Sequence, residues 1–184
     1  MINDMKYKIQ YLPRKKWKGF EIIFKYKTTH YFEVTVEQNN DEMSANFCKM
    51  AFDDSLEKEF VDKLYEDYWD NAKSYGLFEN DKLIACLEIS KEVWSNRLRI
   101  TELWVDESFR RMGIGTILMN FAKKKAEELK CRAIILETQT CNVNAIDFYL
   151  KQGFELFGFD RSFYSNDDLN RKEIRLELGI FISK

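Results

Sequence analysis

Proline and histidine occur once each in the 184 residues, as Pro13 and His30. No uninterrupted apolar run approaches the ~20 residues that a bilayer-spanning helix needs, so no membrane association is expected. The stretch from Met1 to Gln10 is polar and lacks the apolar segment of a secretory signal. Four cysteines are present, Cys48, Cys86, Cys131 and Cys141, and none forms a C-x-x-C pair or a disulfide-dense spacing. With a single histidine to join them they make no conventional zinc site, and no metal is expected. The net charge is only −2, without the basic excess that binding a nucleic-acid backbone requires, so no nucleic-acid partner is expected. A local basic cluster could still hold a small anion. Together these absences point to a reduced, cytoplasmic protein. Apolar residues make up 45% and aromatics 15% of the chain, too much for a disordered one. The length suits one hydrophobic core and is short for two.

Gly19 to Tyr26 and His30 to Glu37 are β-prone runs separated by Lys27-Thr28-Thr29, which predicts a hairpin within an N-terminal segment, 1–40. Beyond the polar Gln38 to Glu42, the i+4 spacing of Phe60, Leu64, Tyr68 and Ala72 predicts a helix over Ser55 to Lys73. Two strands then flank the tight-turn sequence Asn80-Asp81-Lys82. In Arg97 to Val105 the alternation shifts phase between Ile100 and Leu103, which predicts a β-bulge. Ile114 to Lys130 is an amphipathic helix, Ala133 to Thr138 a buried strand, and Val143 to Gln152 a helix closed by Gly153. Phe154 to Tyr164 and Arg171 to Ile182 read as the last strands. This order implies one α/β domain with a mixed sheet, its main body spanning 41–184.

The chemistry gathers between the bulged strand and the following helix, in Arg110-Arg111-Met112-Gly113-Ile114-Gly115-Thr116. Two glycines one residue apart let a backbone approach a ligand without a Cβ in the way. The first-turn N–H groups of a helix have no internal partners and sit at the positive end of its dipole, a setting for phosphate oxygens. Arg110 and Arg111 add cationic donors at the mouth. No Gly-Lys-Ser/Thr follows, so this is not a P-loop, and Leu118 stands where a dinucleotide fingerprint needs its third glycine. Alone, the loop leaves several nucleotides open.

A second motif narrows the choice. R-x-x-G-x-G from Arg110 to Gly115, followed by N-x-x-A-x-x-x-Y-x-K-x-G-F from Asn142 to Phe154, resembles the GNAT superfamily of N-acetyltransferases. The resemblance covers about 41–184. It implies a central mixed, mostly antiparallel sheet splayed between two strands and flanked by helices. It also implies acetyl-CoA as co-substrate and a small amine as acceptor, with a monomer or a homodimer as the assembly. The pantetheine arm is expected along Leu103, Trp104 and Val105, and the pyrophosphate on the backbone from Arg110 to Thr116. Asn142 and Ala145 are expected beside the cofactor. Tyr149 matches the position that protonates the departing thiolate; a phenol keeps its proton at neutral pH yet can donate to a thiolate beside it. The Val105 N–H is the expected oxyanion donor. Either Glu102 or Glu137 could take the amine's proton through water or hold a cationic acceptor, and each could equally be an ordinary paired charge.

The segment Leu136-Glu137-Thr138-Gln139-Thr140-Cys141-Asn142-Val143 is similar to one in the streptothricin acetyltransferases, as are Trp94-Ser95-Asn96 and Gly158-Phe159-Asp160 with Tyr164. That likeness implies acetylation of a β-lysine amine and inactivation of the antibiotic. A protein N-terminus, a lysine or a polyamine is the alternative acceptor, and a non-catalytic CoA-binding module the alternative role.

Overall fold

The computed structural model describes residues 7–182. Residues 1–6 and 183–184, the outer ends of the segments 1–40 and 41–184 distinguished above, lie outside the described residues, as does most of the polar stretch at the start. In chain order the elements are β1 (Gln10–Leu12), α1 (Arg14–Trp17), β2 (Glu21–Gln38), β3 (Met43–Lys63), β4 (Lys73–Glu79), β5 (Lys82–Glu92), β6 (Arg97–Val105), α2 (Ile114–Glu128), β7 (Ala133–Gln139), α3 (Val143–Lys151), β8 (Glu155–Asp160) and β9 (Arg175–Phe181). The chain forms two compact units. One comprises the described residues of Met1–Lys25, Glu59–Leu136 and Gly179–Lys184, the other Tyr26–Lys58 and Glu137–Leu178.

In the first unit the strands run in the order β1-β4-β5-β6-β7. All pairs are antiparallel except β6–β7, which is parallel. The turn between β4 and β5 carries Asn80 at φ 48° and Asp81 at φ 61°, left-handed conformations that Asn and Asp tolerate and that a two-residue hairpin turn requires. The bulge expected in β6 is present. Glu88 pairs with Glu102 and Ile89 with Ile100, leaving Thr101 as the extra residue. This resets the alternation of β6 midway along its length. Helix α2 packs on β5 and β6 and buries Ile114, Leu118, Met119, Ala122 and Ala126. Each such Leu, Ile or Met contributes roughly 1.5–3 kcal/mol by leaving water. A second cluster of Leu12, Ile22, Leu64, Tyr65, Leu83 and Cys86, with Trp17, Phe24 and Trp104 against it, completes this unit's core.

Two local expectations are corrected. No turn interrupts 27–29: β2 runs unbroken for 18 residues and pairs with β3, the turn falling at 39–42. The Thr28 hydroxyl donates to the His30 carbonyl (2.7 Å) and accepts from the His30 N–H (3.3 Å). Such local bonds favour turns in a peptide, and here they are absorbed in a continuous strand. Residues 55–73 hold no helix; β3 runs to Lys63 and turns follow. Phe60, counted above on a helix face, stacks on Phe24 across the ribbon at 5.0 Å, and Leu64 plugs the first unit's core. Pairing with β2 satisfies the backbone and overrides a spacing that fitted a helix as well.

The second unit contains the outer part of the β2–β3 ribbon, the end of β7, α3, β8 and the start of β9, with sheet order β7-β9-β8. Its ribbon is anchored internally, where the Phe32 N–H donates to the Thr140 carbonyl at 3.0 Å and Asn144 Nδ2 to the Lys27 carbonyl at 3.0 Å.

Candidate active site

The parallel pairing of β6 with β7 covers only Arg97↔Ala133, Leu98↔Ile134 and Arg99↔Ile135, while β6 continues to Val105. The Asp106 N–H bonds back to the Ile84 carbonyl of β5 at 2.8 Å. In extended backbone successive residues turn their polar groups to opposite edges, so the N–H groups of Val105 and Leu103 face away from β5. These are the groups expected to meet the pantetheine arm and the oxyanion. Trp104, between them, donates its indole N–H to the Ile23 carbonyl at 2.8 Å.

After β6 the chain makes a 3-10 turn at Glu107–Phe109, capped by the Asp106 carboxylate accepting from the Ser108 N–H at 3.0 Å. The Lys82 ammonium lies 2.8 Å from the same carboxylate and holds its pKa below the usual range. The loop then needs two left-handed residues, Arg111 at φ 64° and Gly113 at φ 81°. Gly113 is the N-cap of α2. The helix's own ladder starts only with the Ile117 N–H on the Gly113 carbonyl at 3.1 Å. A left-handed residue leading into a right-handed turn makes the successive N–H groups converge into an anion-binding concavity. Arg111 and Met112 are exposed, and Ile114 is buried. Gly115 and Thr116 complete the first turn. The Arg110 Nε donates to the Val105 carbonyl (3.1 Å) and its Nη1 to the Lys25 carbonyl (2.6 Å). Its own N–H goes to the Glu107 carbonyl at 3.3 Å.

In the second unit Asn142 caps α3, its side chain accepting from the Ala145 N–H at 3.3 Å. Tyr149 is half-buried on α3, its ring 5.4 Å from Phe148 and 6.0 Å from Phe154. Gly153, at φ 88°, ends this helix as predicted. Glu137 accepts from Arg175 Nε at 2.8 Å and from the Tyr164 hydroxyl at 3.2 Å. Burial first, and the adjoining Glu137 charge second, raise the Tyr164 pKa far above that of a free phenol. Gln139, in the same segment, accepts from Tyr26 (3.2 Å) and Lys58 (3.1 Å), and Lys58 also pairs with Glu173 at 2.6 Å. Tyr26 stood in a β-prone run with nothing to single it out, because its partners come from 113 and 115 residues away.

Glu102 is buried in the first unit, directly across from Glu88 on β5. Glu88 is the one acid in the otherwise apolar run from Leu83 to Ile89, and that anomaly is the signal in the sequence that marks it. Its carboxylate accepts from the Tyr65 N–H (2.8 Å), the Thr101 hydroxyl (3.1 Å) and, at closer range, the Ser74 hydroxyl. The Tyr65 hydroxyl in turn donates to the Leu12 carbonyl and accepts from the Ser74 N–H. Burial raises the Glu88 pKa even though these hydrogen bonds lower it. Cys86 is fully buried, and its pKa is raised by that burial and by the Glu102 and Glu88 charges.

Because the folded pKa of Glu88 lies above its unfolded value, Glu88 favours the fold fully below the unfolded value and loses that contribution as pH rises through the folded one. Glu88→Gln, which keeps the acceptor oxygen and cannot ionise, is therefore expected to gain stability relative to the native chain as pH rises from 4 to 8. Urea titrations across that range check this. A stability difference independent of pH would contradict the raised pKa.

Among the described residues no group of three or more His, Cys, Asp or Glu is placed to hold a metal ion, and no helix is long and apolar enough to cross a membrane.

The bulged strand β6 thus leads through this loop to the N-terminus of α2. Residues 28–154 match the acetyltransferase (GNAT) family, and the chain belongs to it. The streptothricin acetyltransferase of Escherichia coli is 35% identical over 95 residues, 52% of this chain and 54% of that protein. Streptothricin acetyltransferase A of Bacillus subtilis (strain 168) is 25% identical over 126 residues, 68% of this chain and 69% of that one. The chain thus matches about half the length of the first relative and about two thirds of the second. Among solved structures, nourseothricin acetyltransferase superposes with a TM-score of 0.76 at 22% identity, over 96% of this chain and 99% of that one. A putative streptothricin acetyltransferase from Bacillus anthracis str. Ames, solved with acetyl coenzyme A, gives 0.71 at 24% identity, over 98% and 100%. The GNAT fold, a mixed, largely antiparallel sheet flanked by helices, is therefore the fold of this chain.

Proposed function

We propose that this protein transfers an acetyl group from acetyl-CoA to a primary amine of a small cationic acceptor of the streptothricin type. The observation that carries the reading is the loop from Arg110 to Thr116, with Gly113 left-handed at the N-cap of α2. Membership of the acetyltransferase family selects CoA among the anions such a loop can hold. The first-turn N–H groups cradle the pyrophosphate, and the edge-facing N–H groups of Leu103 and Val105 take the pantetheine and the thioester oxygen. Asn142 and Ala145, at the start of α3, flank the cofactor. The neutral amine attacks the thioester carbon directly, most of the rate gain coming from positioning. The C–N bond forms, the C–S bond breaks, and Tyr149 gives its proton to the departing thiolate while the amine releases one.

For that last proton we assign Glu102, which immediately precedes the strand residues Leu103 to Val105 assigned to the cofactor. Glu137 accepts from Arg175 and Tyr164, an arrangement that fixes the segment carrying Thr138 to Thr140. Glu102→Gln is expected to lower kcat/KM roughly tenfold, less than a directly placed base, because water can also accept the proton. The accompanying pH–rate profile should lose the acidic limb set by the carboxylate and keep the one set by deprotonation of the amine. Glu137→Gln should leave the carboxylate limb in place, and the opposite pattern would reverse the assignment.

Rates of thiol release from acetyl-CoA with streptothricin, a polyamine and a peptide with a free N-terminus test the acceptor class. The reading expects streptothricin to be preferred. Faster turnover of the peptide would make the chain a protein acetyltransferase. Tight CoA binding without turnover of any amine would leave a non-catalytic module.

A further inference from the structure

Two alternate carbonyls of β2, those of Ile23 and Lys25, accept from side chains. Trp104 Nε1 takes the first at 2.8 Å and Arg110 Nη1 the second at 2.6 Å. Both donors belong to the segment that leads from β6 into the anion-binding loop. Arg110 makes a further bond within that segment, from Nε to the Val105 carbonyl at 3.1 Å. A guanidinium presents its donors in a fixed planar fork, so one group here sets the distance and angle between the end of β6 and the root of β2. The Val105 carbonyl and the Val105 N–H point to the same edge of β6. What fixes the carbonyl therefore also fixes the N–H assigned to the thioester oxygen.

We infer that Arg110 is a positioning residue: it locks the end of β6, and with it the Val105 N–H, onto the root of the β2–β3 ribbon, and it does not act as a phosphate ligand. Trp104 is the second pin of the same clasp. The kinetic part of the inference rests on the acetyltransferase reading above; the structural part does not.

The charge-conserving variant separates the two roles. A lysine keeps the positive charge for a phosphate but cannot reproduce a two-pronged bond to carbonyls on different strands. A positioning role predicts that Arg110→Lys and Arg110→Met behave alike. Both should lower kcat about tenfold, the scale of a small misplacement of a transition-state donor, while the Kd for CoA stays within about threefold. In the cofactor-free protein both should speed amide hydrogen exchange of residues 22–26 by about tenfold through local opening of the ribbon root. Arg111→Met should leave that exchange unchanged. A ligand role predicts the converse: Arg110→Lys close to the native chain, Arg110→Met weaker for CoA by about tenfold with kcat retained, and no change in exchange. That result would overturn the inference. Should Arg110→Met fail to fold, Arg110→Lys and Trp104→Phe, which removes the indole bond together with part of the ring that packs on the core, carry the exchange measurement, and unchanged exchange in both would likewise overturn it. If the native chain shows no turnover at all, the acetyltransferase reading falls, while the exchange data still decide whether the clasp exists.

Discussion

Tyr149→Phe is expected to lower turnover by ~10²-fold or more, within the range that general acids contribute, while the Kd for acetyl-CoA changes by no more than about twofold. The substitution removes one oxygen and leaves the ring, which is half-buried and contacts Phe148 and Phe154 on and beyond α3. The ring contacts are therefore preserved, while the hydroxyl, the proposed proton donor, is lost. Without it the thiolate leaves unprotonated or waits for water. The effect should fall on kcat and kcat/KM together, as expected for an interaction made only in the transition state. Single-turnover rates with saturating acetyl-CoA measure it directly. Turnover within about threefold of the native chain would remove Tyr149 from the chemistry and leave it as an aromatic on the core side of α3.

Gly113→Val is expected to raise the Kd for acetyl-CoA by ten- to a hundredfold, through strain of roughly 1–3 kcal/mol. Gly113 sits at φ 81° as the N-cap of α2, a conformation a β-branched residue reaches only at that cost. The loop can relieve the strain only by turning Gly113 out of the left-handed region. That breaks the convergence of N–H groups ahead of Ile117. Gly158→Ala supplies the contrast. A Cβ there meets nothing within 4 Å and its backbone lies outside the left-handed region, so affinity should stay at the native value. Isothermal titration of both variants with acetyl-CoA checks the pair. Equal affinities would show that the loop conformation is not what holds the cofactor.

The parts of the fold legible in the sequence are those that local geometry enforces. Gly113 and Gly153 stand where the backbone turns left-handed, and Asn80-Asp81 mark a turn that the structure contains. The phase slip in β6 located a bulge because alternation is a property of neighbouring residues, and Thr101 is the residue inserted. What the sequence hid depends on distant partners. Thr28 and His30 bond to each other as they would in a turn, yet pairing with β3 carries the strand straight through them. The spacing of Phe60, Leu64 and Tyr68 fits a helix until β2 is known to lie alongside. In the same way Arg110 reads as a cation waiting for phosphate, and only the folded chain shows its guanidinium on the carbonyls of Val105 and Lys25. Glu88 was open to notice as an acid among apolar neighbours, but its meaning lay in Tyr65, Ser74 and Thr101, at 23, 14 and 13 residues' separation. The segment from Glu137 to Gln139 was the least legible, because its partners Arg175, Tyr164, Lys58 and Tyr26 lie far from it in the sequence.

Acetyl transfer from acetyl-CoA to an amine of a streptothricin-type acceptor, proposed above for this chain, is tested by mass spectrometry of streptothricin after incubation with the protein and acetyl-CoA. The expected product is heavier by one acetyl group on the β-lysine portion and forms in step with free CoA. Unmodified streptothricin, with acetyl-CoA bound but intact, would contradict the proposal.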